Sequence, residues 1–548
     1  MDRDYSRSIS TSSRHALINS LSNPSFSQRA HKGNKAEGSK YPRGIPLFLN
    51  LLSIILATIV CGYDANCVTT IIPVVTDRFN SLNDVGWYGA AFLLASASSQ
   101  LFYGKLYLFL PAKIVFSTVV FTFAVGSLIC AVAPNSSSFI VGRAISGLGS
   151  AGILAGTNII ISRCVPIRLR PVYSSIIGAI ECLAISIGPL LGGAIAETLG
   201  WRWCFWLLLP LAGLTIVITI LFLGNEESPE QSTLTLKEKI RRLDLPSLAL
   251  FIPAIVCLIL ALQWGGTYYA WSNWKVFVLF IISGCFLFAF GVNQYRKGEE
   301  ATVPPRIFFT RTVLFGAFYS FNTSGALYVA VYYLPIWFQA VKGASPFSSG
   351  VRGLPLVLSL VVSIIISGSI TSIIGYYTPT MCLGSILMAL GAGMLTTFRV
   401  DTPMTLWIIY QIIFALGIGL GFQQPIIATQ TNFSGKDLPI ALVLVSFIQN
   451  LGGIVALSSA QNIFTNQLMY NLHKAAPNID PKLVQKVGVL TLKLSFTKKE
   501  LNEILPAYNL SITQTLLVAT VMASVTAIGC FGIPLCSVKG KNTTEDEA

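Results

Sequence analysis

Charged residues are scarce in this sequence. They make up 11% of its 548 residues, whereas an average soluble domain carries roughly 25%. Hydrophobic residues account for 53%, so a soluble fold of this length would have too little polar surface to cover itself. Long apolar runs recur from residue 45 to residue 535 and predict an all-α polytopic membrane protein.

Histidine is also rare, and the three histidines, His15, His31 and His473, lie in a predicted tail or loop. The sequence contains no G-x-x-x-x-G-K-[ST] loop, which a nucleotide-driven pump needs. These absences argue against an enzyme and against a primary pump, and we expect no cofactor and no metal. No charged ring typical of a channel pore is evident. The eleven cysteines lack CxxC or Cys/His spacing, so we expect neither disulfides nor zinc.

Fourteen apolar runs are each long enough for a transmembrane helix, which needs about 20 residues. We predict six helices in an N-terminal bundle at 44–224, two additional helices at 246–293 and six in a C-terminal bundle at 311–536. The runs lie near residues 46–68, 85–104, 113–133, 139–162, 172–196, 203–223, 246–265, 274–293, 313–338, 352–374, 379–398, 405–424, 438–461 and 513–536.

Polar segments flank and divide these bundles. Residues 1–43 have the composition of a disordered tail, and the first apolar run is too long and too far from the N-terminus for a cleavable signal peptide. We predict a cytoplasmic loop at 225–245, an extracellular loop at 465–511 and a second tail at 537–548. The segments on the side of the N-terminus hold most of the 37 Lys and Arg residues, which predicts that both termini are cytoplasmic. Topology thus accounts for the net charge of +14, and we expect no nucleic-acid partner.

Short sequence motifs narrow the class of membrane protein to which the chain can be compared. The fourth run contains R-x-x-x-G-x-G, with Arg143, Gly147 and Gly149, and the fifth contains G-P-x-x-G-G from residue 188 to residue 193. Other segments are G-W-R-W-C-F at 200–205, Y-Y-L-P at 332–335, Q-A-V-K-G at 339–343, G-F-Q-Q-P at 421–425 and F-I-Q-N-L-G-G at 447–453. In these motifs the chain resembles the major facilitator superfamily, in particular its fourteen-spanner drug:proton antiporter branch in fungi.

The resemblance implies a fold and a function. The fold would be two six-helix bundles with two extra helices between them. The function would be export of drugs, toxins or secondary metabolites in exchange for protons by alternating access, driven by the proton gradient alone. We expect a monomer in the plasma membrane, or alternatively in the vacuolar membrane. An importer of a nutrient or siderophore with the same fold remains the main alternative, and a transporter-derived receptor is a further one.

One motif departs from the pattern of that family. The loop after the second helix should resemble G-x-L-x-D-R-x-G-R-K, but residues 104–113 read G-K-L-Y-L-F-L-P-A-K, with Leu108 in place of the acidic residue. The charge latch of many relatives is therefore not expected here. Lys105 and Lys113 are interpreted as marks of the cytoplasmic edge.

Three ionisable side chains lie inside predicted spans: Asp64, Arg143 and Glu181. A charge at the bilayer centre costs about 2.5–3.5 kcal/mol or more, so such residues need a polar surrounding or a partner. By helical rise, Asp64 and Arg143 lie at similar depths and can meet. We interpret them as a proton-coupling pair, with a static structural pair as the alternative. Glu181 would bind a cationic substrate or a second proton, unless it is a buried, hydrogen-bonded glutamic acid.

Neutral side chains complete the candidate site. Tyr333, Gln449 and Asn450 are candidates for the substrate cavity, although an aromatic residue in a span more often faces the core or lipid. The glycines and the proline of the two helix motifs are expected to serve close packing and bending, because small residues let membrane helices approach. They are Gly147, Gly149, Gly188, Pro189, Gly192 and Gly193. Asn135 and Asn509 are candidate glycosylation acceptors.

Overall fold

The structure is a computed structural model that covers most of the chain. It describes residues 41–81, 84–224, 242–266, 269–477 and 496–539, together with positions 238, 479, 481 and 484. The predicted disordered tail at 1–43 therefore lies almost entirely outside the described residues. The same holds for most of the predicted loop at 225–245, for the tail beyond residue 539 and for the centre of the predicted loop at 465–511.

Fourteen long helices follow one another in the described residues, and no strand occurs among them. Several helices have proline in their first turn, where its missing N–H costs no hydrogen bond. They are α1 (Ile45–Phe79), α2 (Val85–Phe109), α3 (Ala112–Val132), α4 (Ser136–Cys164), α5 (Arg170–Thr198), α6 (Trp203–Phe222), α7 (Leu245–Trp264), α8 (Trp274–Lys297), α9 (Arg311–Ala340), α10 (Pro346–Ile374), α11 (Thr378–Leu395), α12 (Met404–Asn432), α13 (Asp437–Ala475) and α14 (Lys498–Gly532). The prediction of an all-α chain is confirmed.

Twelve of these helices are long and apolar enough to cross a membrane, which makes the chain a multi-pass integral membrane protein. The other two, α2 and α9, have 25 and 30 residues but are not among the twelve. Serine, glutamine, asparagine and tyrosine residues lower their hydropathy. The predicted number of fourteen spans is therefore supported for twelve.

Packing groups the helices into two bundles and a hairpin. Helices α1 to α6 pack against one another as the N-terminal bundle, and α9 to α14 pack as the C-terminal bundle. The bundles meet where α5 lies against α10 and where α2 lies against α13. We call the side at which α1 begins and α14 ends the terminal face, and the opposite side the far face.

The α7–α8 hairpin lies across the seam between α2 and α13. Near the middle of α7, Phe251 packs against Phe447 of α13 with ring centroids 5.3 Å apart. At the far face, Trp264 packs against Trp87 of α2 at 6.1 Å. The loop after α7 adds a hydrogen bond from Trp271 Nε1 to the Oδ1 of Asn462 of α13, at 2.9 Å. The hairpin therefore contacts both bundles.

At the terminal face a buried carboxylate anchors this hairpin. Asp244 caps α7 and pairs with Lys297 at the end of α8. Burial opposes the ionised form of Asp244, but hydrogen bonds from Lys297, Ser247 and Thr302 outweigh it and lower the pKa of this carboxyl. The two additional helices are thus held as one unit at this face.

The segment after α8 extends the anchor to both bundles. Lys105 Nζ of α2 donates to Glu300 O at 3.0 Å. Arg306 pairs with Glu299 and with Asp437 of α13, each at 3.0 Å. Lys105 was predicted to lie in the loop after the second helix, but α2 continues to Phe109 and contains it. From this position it contacts the linker between the bundles, although the motif at 104–113 lacks the acidic residue of the family pattern.

The structure corrects the expectation that no disulfide forms. Cys382 of α11 and Cys530 of α14 are bonded, with their Cα atoms 5.9 Å apart. The two cysteines are separated by 148 residues, so no short spacing motif indicates the pair. Nine other cysteines in the described part of the chain form no disulfide.

Candidate functional site

A fully buried ion pair joins α1 to α4. Arg143 Nη1 lies 2.7 Å from Asp64 Oδ2, and neither side chain has any solvent-exposed surface. The guanidinium is held further by the carbonyl oxygen of Tyr88, which accepts from Arg143 Nε at 3.1 Å. The ring of Phe92 lies 4.5 Å below the guanidinium carbon. Three helices, α1, α2 and α4, therefore fix the position of the arginine.

The second oxygen of the aspartate is left without a partner. Asp64 Oδ1 is buried and accepts no hydrogen bond from the described residues. Buried polar atoms are normally hydrogen-bonded. An unpartnered carboxylate oxygen beside an arginine provides a place where a proton can be added without first displacing another donor.

Two glycines of the R-x-x-x-G-x-G motif allow α4 to approach its neighbours. A Cβ at Gly147 would lie 2.3 Å from the carbonyl oxygen of Phe92, and one at Gly149 would lie 2.5 Å from the backbone nitrogen of Phe123. Both distances are too short for any side chain. Gly147 therefore brings α4 close to the segment of α2 that holds Arg143.

The G-P-x-x-G-G motif plays a similar part between α5 and α1. A Cβ at Gly188 would lie 3.0 Å from Tyr63 O, and one at Gly192 would lie 2.9 Å from Cys67 O. Gly193 has room, because its Cβ would meet only Thr70 Cβ at 4.0 Å. Pro189 lies inside α5 and removes one backbone N–H there. Close packing is therefore shown for two of these three glycines.

Glu181 lies in α5, where its backbone carbonyl oxygen is close to Gly62 of α1, and its side chain forms no bond with the buried pair. Its side chain is half-buried, and its carboxylate forms no hydrogen bond or ion pair with the residues that the structure describes. Its neighbours Ala179 and Cys182 pack into the core of the C-terminal bundle. Glu181 thus faces the boundary between the bundles, and the alternative of a hydrogen-bonded buried acid has no partner among the described residues.

The three neutral candidates, Tyr333, Gln449 and Asn450, all lie in the C-terminal bundle, whereas the charged candidates lie in the N-terminal bundle. Tyr333 is fully buried in the C-terminal core, where its Oη donates to Gln461 Oε1 at 3.1 Å. Gln449 is half-buried and donates weakly to a backbone carbonyl at 3.4 Å. Asn450 Nδ2 donates to Gln100 Oε1 of α2 at 3.1 Å, so this pair crosses from one bundle to the other. None of the three candidates contacts the buried ion pair.

Sequence reasoning missed a group of polar contacts between the bundles at the terminal face. Arg170 Nη1 of α5 donates to Gln430 O of α12 at 3.2 Å. Ser372 Oγ of α10 donates to Arg168 O at 2.9 Å. A Cβ at Gly368 would lie 2.3 Å from Ser175 Oγ. Hydrogen bonds and close packing therefore join the two bundles at the terminal face. Most of these bonds end on backbone carbonyls, which leave no signal in the sequence.

The two candidate glycosylation acceptors have different surroundings. Asn135 is exposed at the far-face end of α4, where its Oδ1 accepts from Ser138 N at 2.9 Å. Asn509 is buried in α14. Its Nδ2 donates to Phe398 O at 2.9 Å, and its Oδ1 accepts from Trp337 Nε1 at 2.7 Å. A glycan on Nδ2 of Asn509 is incompatible with this packing.

No group of three or more His, Cys, Asp or Glu side chains that could hold a metal ion occurs in the part of the chain that the structure describes. The candidate site consists of one buried ion pair, one half-buried carboxylate and the boundary between two bundles. Such an arrangement can take up and release protons as its surroundings change.

Comparison with known proteins places this geometry in a family. The model of the Major Facilitator Superfamily matches residues 54–457. The chain is 43% identical over 498 residues to the MFS-type efflux pump MFS1 of Arthroderma benhamiae, which covers 91% of this chain and 93% of that protein. It is 40% identical over 497 residues to the efflux pump roqT of Penicillium rubens, with 90% and 92% covered.

A solved structure supports the same fold. The proton:xylose symporter XylE, bound to 6-bromo-6-deoxy-D-glucose, matches with a TM-score of 0.57 over 90% of this chain and 97% of that chain. The two sequences are only 13% identical. This likeness therefore concerns the fold alone.

Proposed function

The chain belongs to the major facilitator superfamily, and from this we propose that it exports small organic molecules in exchange for protons. The cargo class is that of drugs, toxins or secondary metabolites. The direction of transport is supported by relatives named as efflux pumps. The observation that carries the proton coupling is the buried Asp64–Arg143 pair with its unpartnered carboxylate oxygen.

The coupling follows from charge balance. While Asp64 is ionised, the pair is neutral as a whole and stays buried. A proton on Oδ1 removes the negative charge and leaves the guanidinium of Arg143 uncompensated, which costs about 3–5 kcal/mol in a buried site. A conformation that lets water or cargo reach the arginine lowers that cost. Protonation thus favours one arrangement of the bundles, and deprotonation favours the other.

Glu181 supplies the second function of the site in this proposal. It binds a cationic cargo or a second proton at the boundary between the bundles. Its half-buried position and its missing partner support this role, since a carboxylate in a span requires a compensating group in at least one state of the cycle. Gln449 and Asn450 would offer neutral hydrogen bonds to the cargo from α13.

The finer topology belongs to the same proposal. All fourteen helices cross the membrane, because α2 and α9 exceed the required length of about 20 residues and pack inside their bundles. Both termini are cytoplasmic, so the far face is extracellular in the plasma membrane or luminal in the vacuole. The chain acts as a monomer in the lipid bilayer, without a cofactor and with the proton gradient as its energy source.

The test uses inside-out vesicles that contain the protein. With an acidic lumen, protons leave through the transporter while cargo accumulates inside, and a panel of cationic, neutral and anionic compounds defines the cargo. Collapse of the gradient should abolish accumulation. Accumulation that persists after the collapse contradicts proton exchange. Cargo that moves in the same direction as protons would instead indicate the importer.

A further inference from the structure

The turn between α5 and α6 carries a cavity that the proposed transport site does not use. This cavity opens at the far face and has a volume of about 820 Å³. Among the residues that line it are Trp201, Arg202, Trp203, Trp206, Leu209 and Pro210. Among the described residues, its lining combines three indole rings and one cation and contains no carboxylate.

Arg202 is held at the rim of the cavity by two contacts. Its Nη2 donates to Ala133 O at 2.9 Å, and its guanidinium carbon lies 4.5 Å from the centroid of the Trp201 ring. Trp201 is fixed in turn by edge-on contacts with Phe79 and Phe139. A guanidinium has five N–H donors, and only one of them has a partner among the described residues. The remaining donors are available to an anion.

The cavity lies at the level of a membrane surface. Helix α5 ends at Thr198 and α6 begins at Trp203, and both are apolar enough to span the bilayer. Trp203 and Trp206 are 47% and 37% exposed. Tryptophan is enriched where hydrocarbon meets headgroups. The guanidinium of Arg202 is therefore at the depth of lipid phosphates.

An apolar stripe continues from the cavity along α6. Leu207, Leu214 and Leu221 recur every seven residues and are 41%, 48% and 66% exposed. Seven residues are nearly two helical turns, so the three side chains lie on one face. The stripe extends about 21 Å from the cavity into the membrane. This length suits an acyl chain.

We propose that the cavity binds one glycerophospholipid of the far leaflet. Its phosphate lies on Arg202, and one acyl chain follows the α6 stripe. Charge complementarity selects this occupant, because the charged group among the described lining residues is a cation and arginine binds phosphate through paired N–H donors. A cationic cargo molecule would be repelled by the guanidinium, and a neutral one would lack the charge that favours phosphate. The site is independent of proton coupling, since Arg202 contacts neither the buried ion pair nor Glu181.

Native mass spectrometry of the full-length protein in detergent tests the site, with dioleoylphosphatidylcholine as the probe. Wild-type protein should retain one tightly bound phospholipid. Arg202→Gln should weaken its binding about tenfold, equivalent to about 1.4 kcal/mol. Arg399→Gln is the matched control, because it removes an exposed arginine at the far face that does not line this cavity. It should bind like wild type.

Two further measurements separate phosphate recognition from general adhesion of lipid. Dioleoylglycerol has the same chains without the phosphate, and it should bind wild-type and Arg202→Gln protein equally weakly. Leu214→Ser keeps Arg202 in place and should weaken phospholipid binding a few-fold through the acyl chain, which serves as the test if Arg202→Gln fails to fold. Equal affinity of Arg202→Gln and wild type, equal binding of dioleoylglycerol and the phospholipid, or no effect of Leu214→Ser would overturn the proposal.

Discussion

The two bundles differ in where they place charge. In the described residues the N-terminal bundle carries Asp64, Arg143 and Glu181 in the interior of its helices. The interior of the C-terminal bundle carries neutral amides such as Asn322 and Gln411, and its described charged side chains are all at least partly exposed, including Arg352 in the second turn of α10. An intramembrane charge is costly. The N-terminal bundle therefore keeps buried charges that cost free energy in a membrane, although the C-terminal bundle has the same fold without them.

Packing does not account for this difference. Gly147 of the N-terminal bundle and Gly417 of the C-terminal bundle both bring helix backbones into direct contact. A Cβ at Gly147 would lie 2.3 Å from Phe92 O, and one at Gly417 would lie 2.1 Å from Met388 N. Both bundles thus use glycine to bring helix backbones together, and close packing does not require the buried charges of the N-terminal bundle. On the proposed mechanism, proton handling would fall to the N-terminal bundle and neutral contacts with cargo to the C-terminal bundle.

Removal of the charge from Asp64 should have the largest effect. Asp64→Asn takes away the proton carrier and leaves Arg143 buried without a counterion. We expect loss of gradient-driven export, and a decrease of about 3–5 kcal/mol in the free energy of unfolding. Vesicle transport and denaturation of the purified protein measure the two effects separately.

The double variant Asp64→Asn/Arg143→Gln distinguishes the two roles of the pair. It removes the uncompensated charge, so most of the lost stability should return while proton-driven export stays absent. If Asp64→Asn exports with its dependence on the gradient intact, the pair is a static structural element. The contrast between the bundles would then have no functional meaning.

Hydropathy predicted most of the helices, because a helix that crosses a membrane must be apolar over about 20 residues. The third run was predicted at 113–133 and is observed at Ala112–Val132. The thirteenth run was predicted at 438–461, whereas the helix extends from Asp437 to Ala475. Beyond the apolar run this helix is stabilised by contacts with its neighbours, such as Asn471 Nδ2 donating to Ser511 Oγ at 2.9 Å. Hydropathy carries no information about such contacts.

The candidate site was predictable only in part, because depth in the membrane follows from sequence but helix rotation does not. Equal depth allowed Asp64 and Arg143 to be paired in advance. The carbonyl of Tyr88 that holds the arginine has no sequence signal, and neither does the carbonyl of Gln430 that binds Arg170. Tyr333 was one candidate for the cavity, with the core as the alternative, and the rotation of α9 buries it in the core. Such residues require the three-dimensional arrangement.

Neutralisation of the second carboxylate should have a smaller and more selective effect. Glu181→Gln should lower the export of cationic compounds about tenfold and leave neutral compounds within about twofold, because one charge interaction of about 1.4 kcal/mol is lost. The export rate of matched cationic and neutral compounds provides the measurement. Glu197→Gln is the control, since Glu197 is exposed near the far end of the same helix. An equal decrease for both compound classes would exclude cation binding.

Alanine substitution of Gly147 and Gly417 tests whether helix packing in the two bundles differs in its effect on proton coupling. Gly147→Ala and Gly417→Ala should each cost about 1–3 kcal/mol of stability, since both force backbones apart. Only Gly147→Ala should also alter the dependence of export on pH, because it displaces α4 from the segment of α2 that holds Arg143. Gly193→Ala, with room for its methyl group, serves as the control and should change neither property. An altered pH profile in Gly417→Ala would show that coupling is spread over both bundles.

The smallest effect concerns the outer surface of the two bundles. Asn135 is exposed and its Nδ2 is accessible, whereas the Nδ2 of Asn509 donates to Phe398 O inside the C-terminal bundle. If the far face is extracellular, Asn135→Gln should abolish an endoglycosidase-sensitive mobility shift and leave export within about twofold of wild type, since surface substitutions usually change stability by less than about 0.5 kcal/mol. Asn509→Gln should keep the shift. A shift that depends on Asn509 would require α14 to expose this residue before folding is complete.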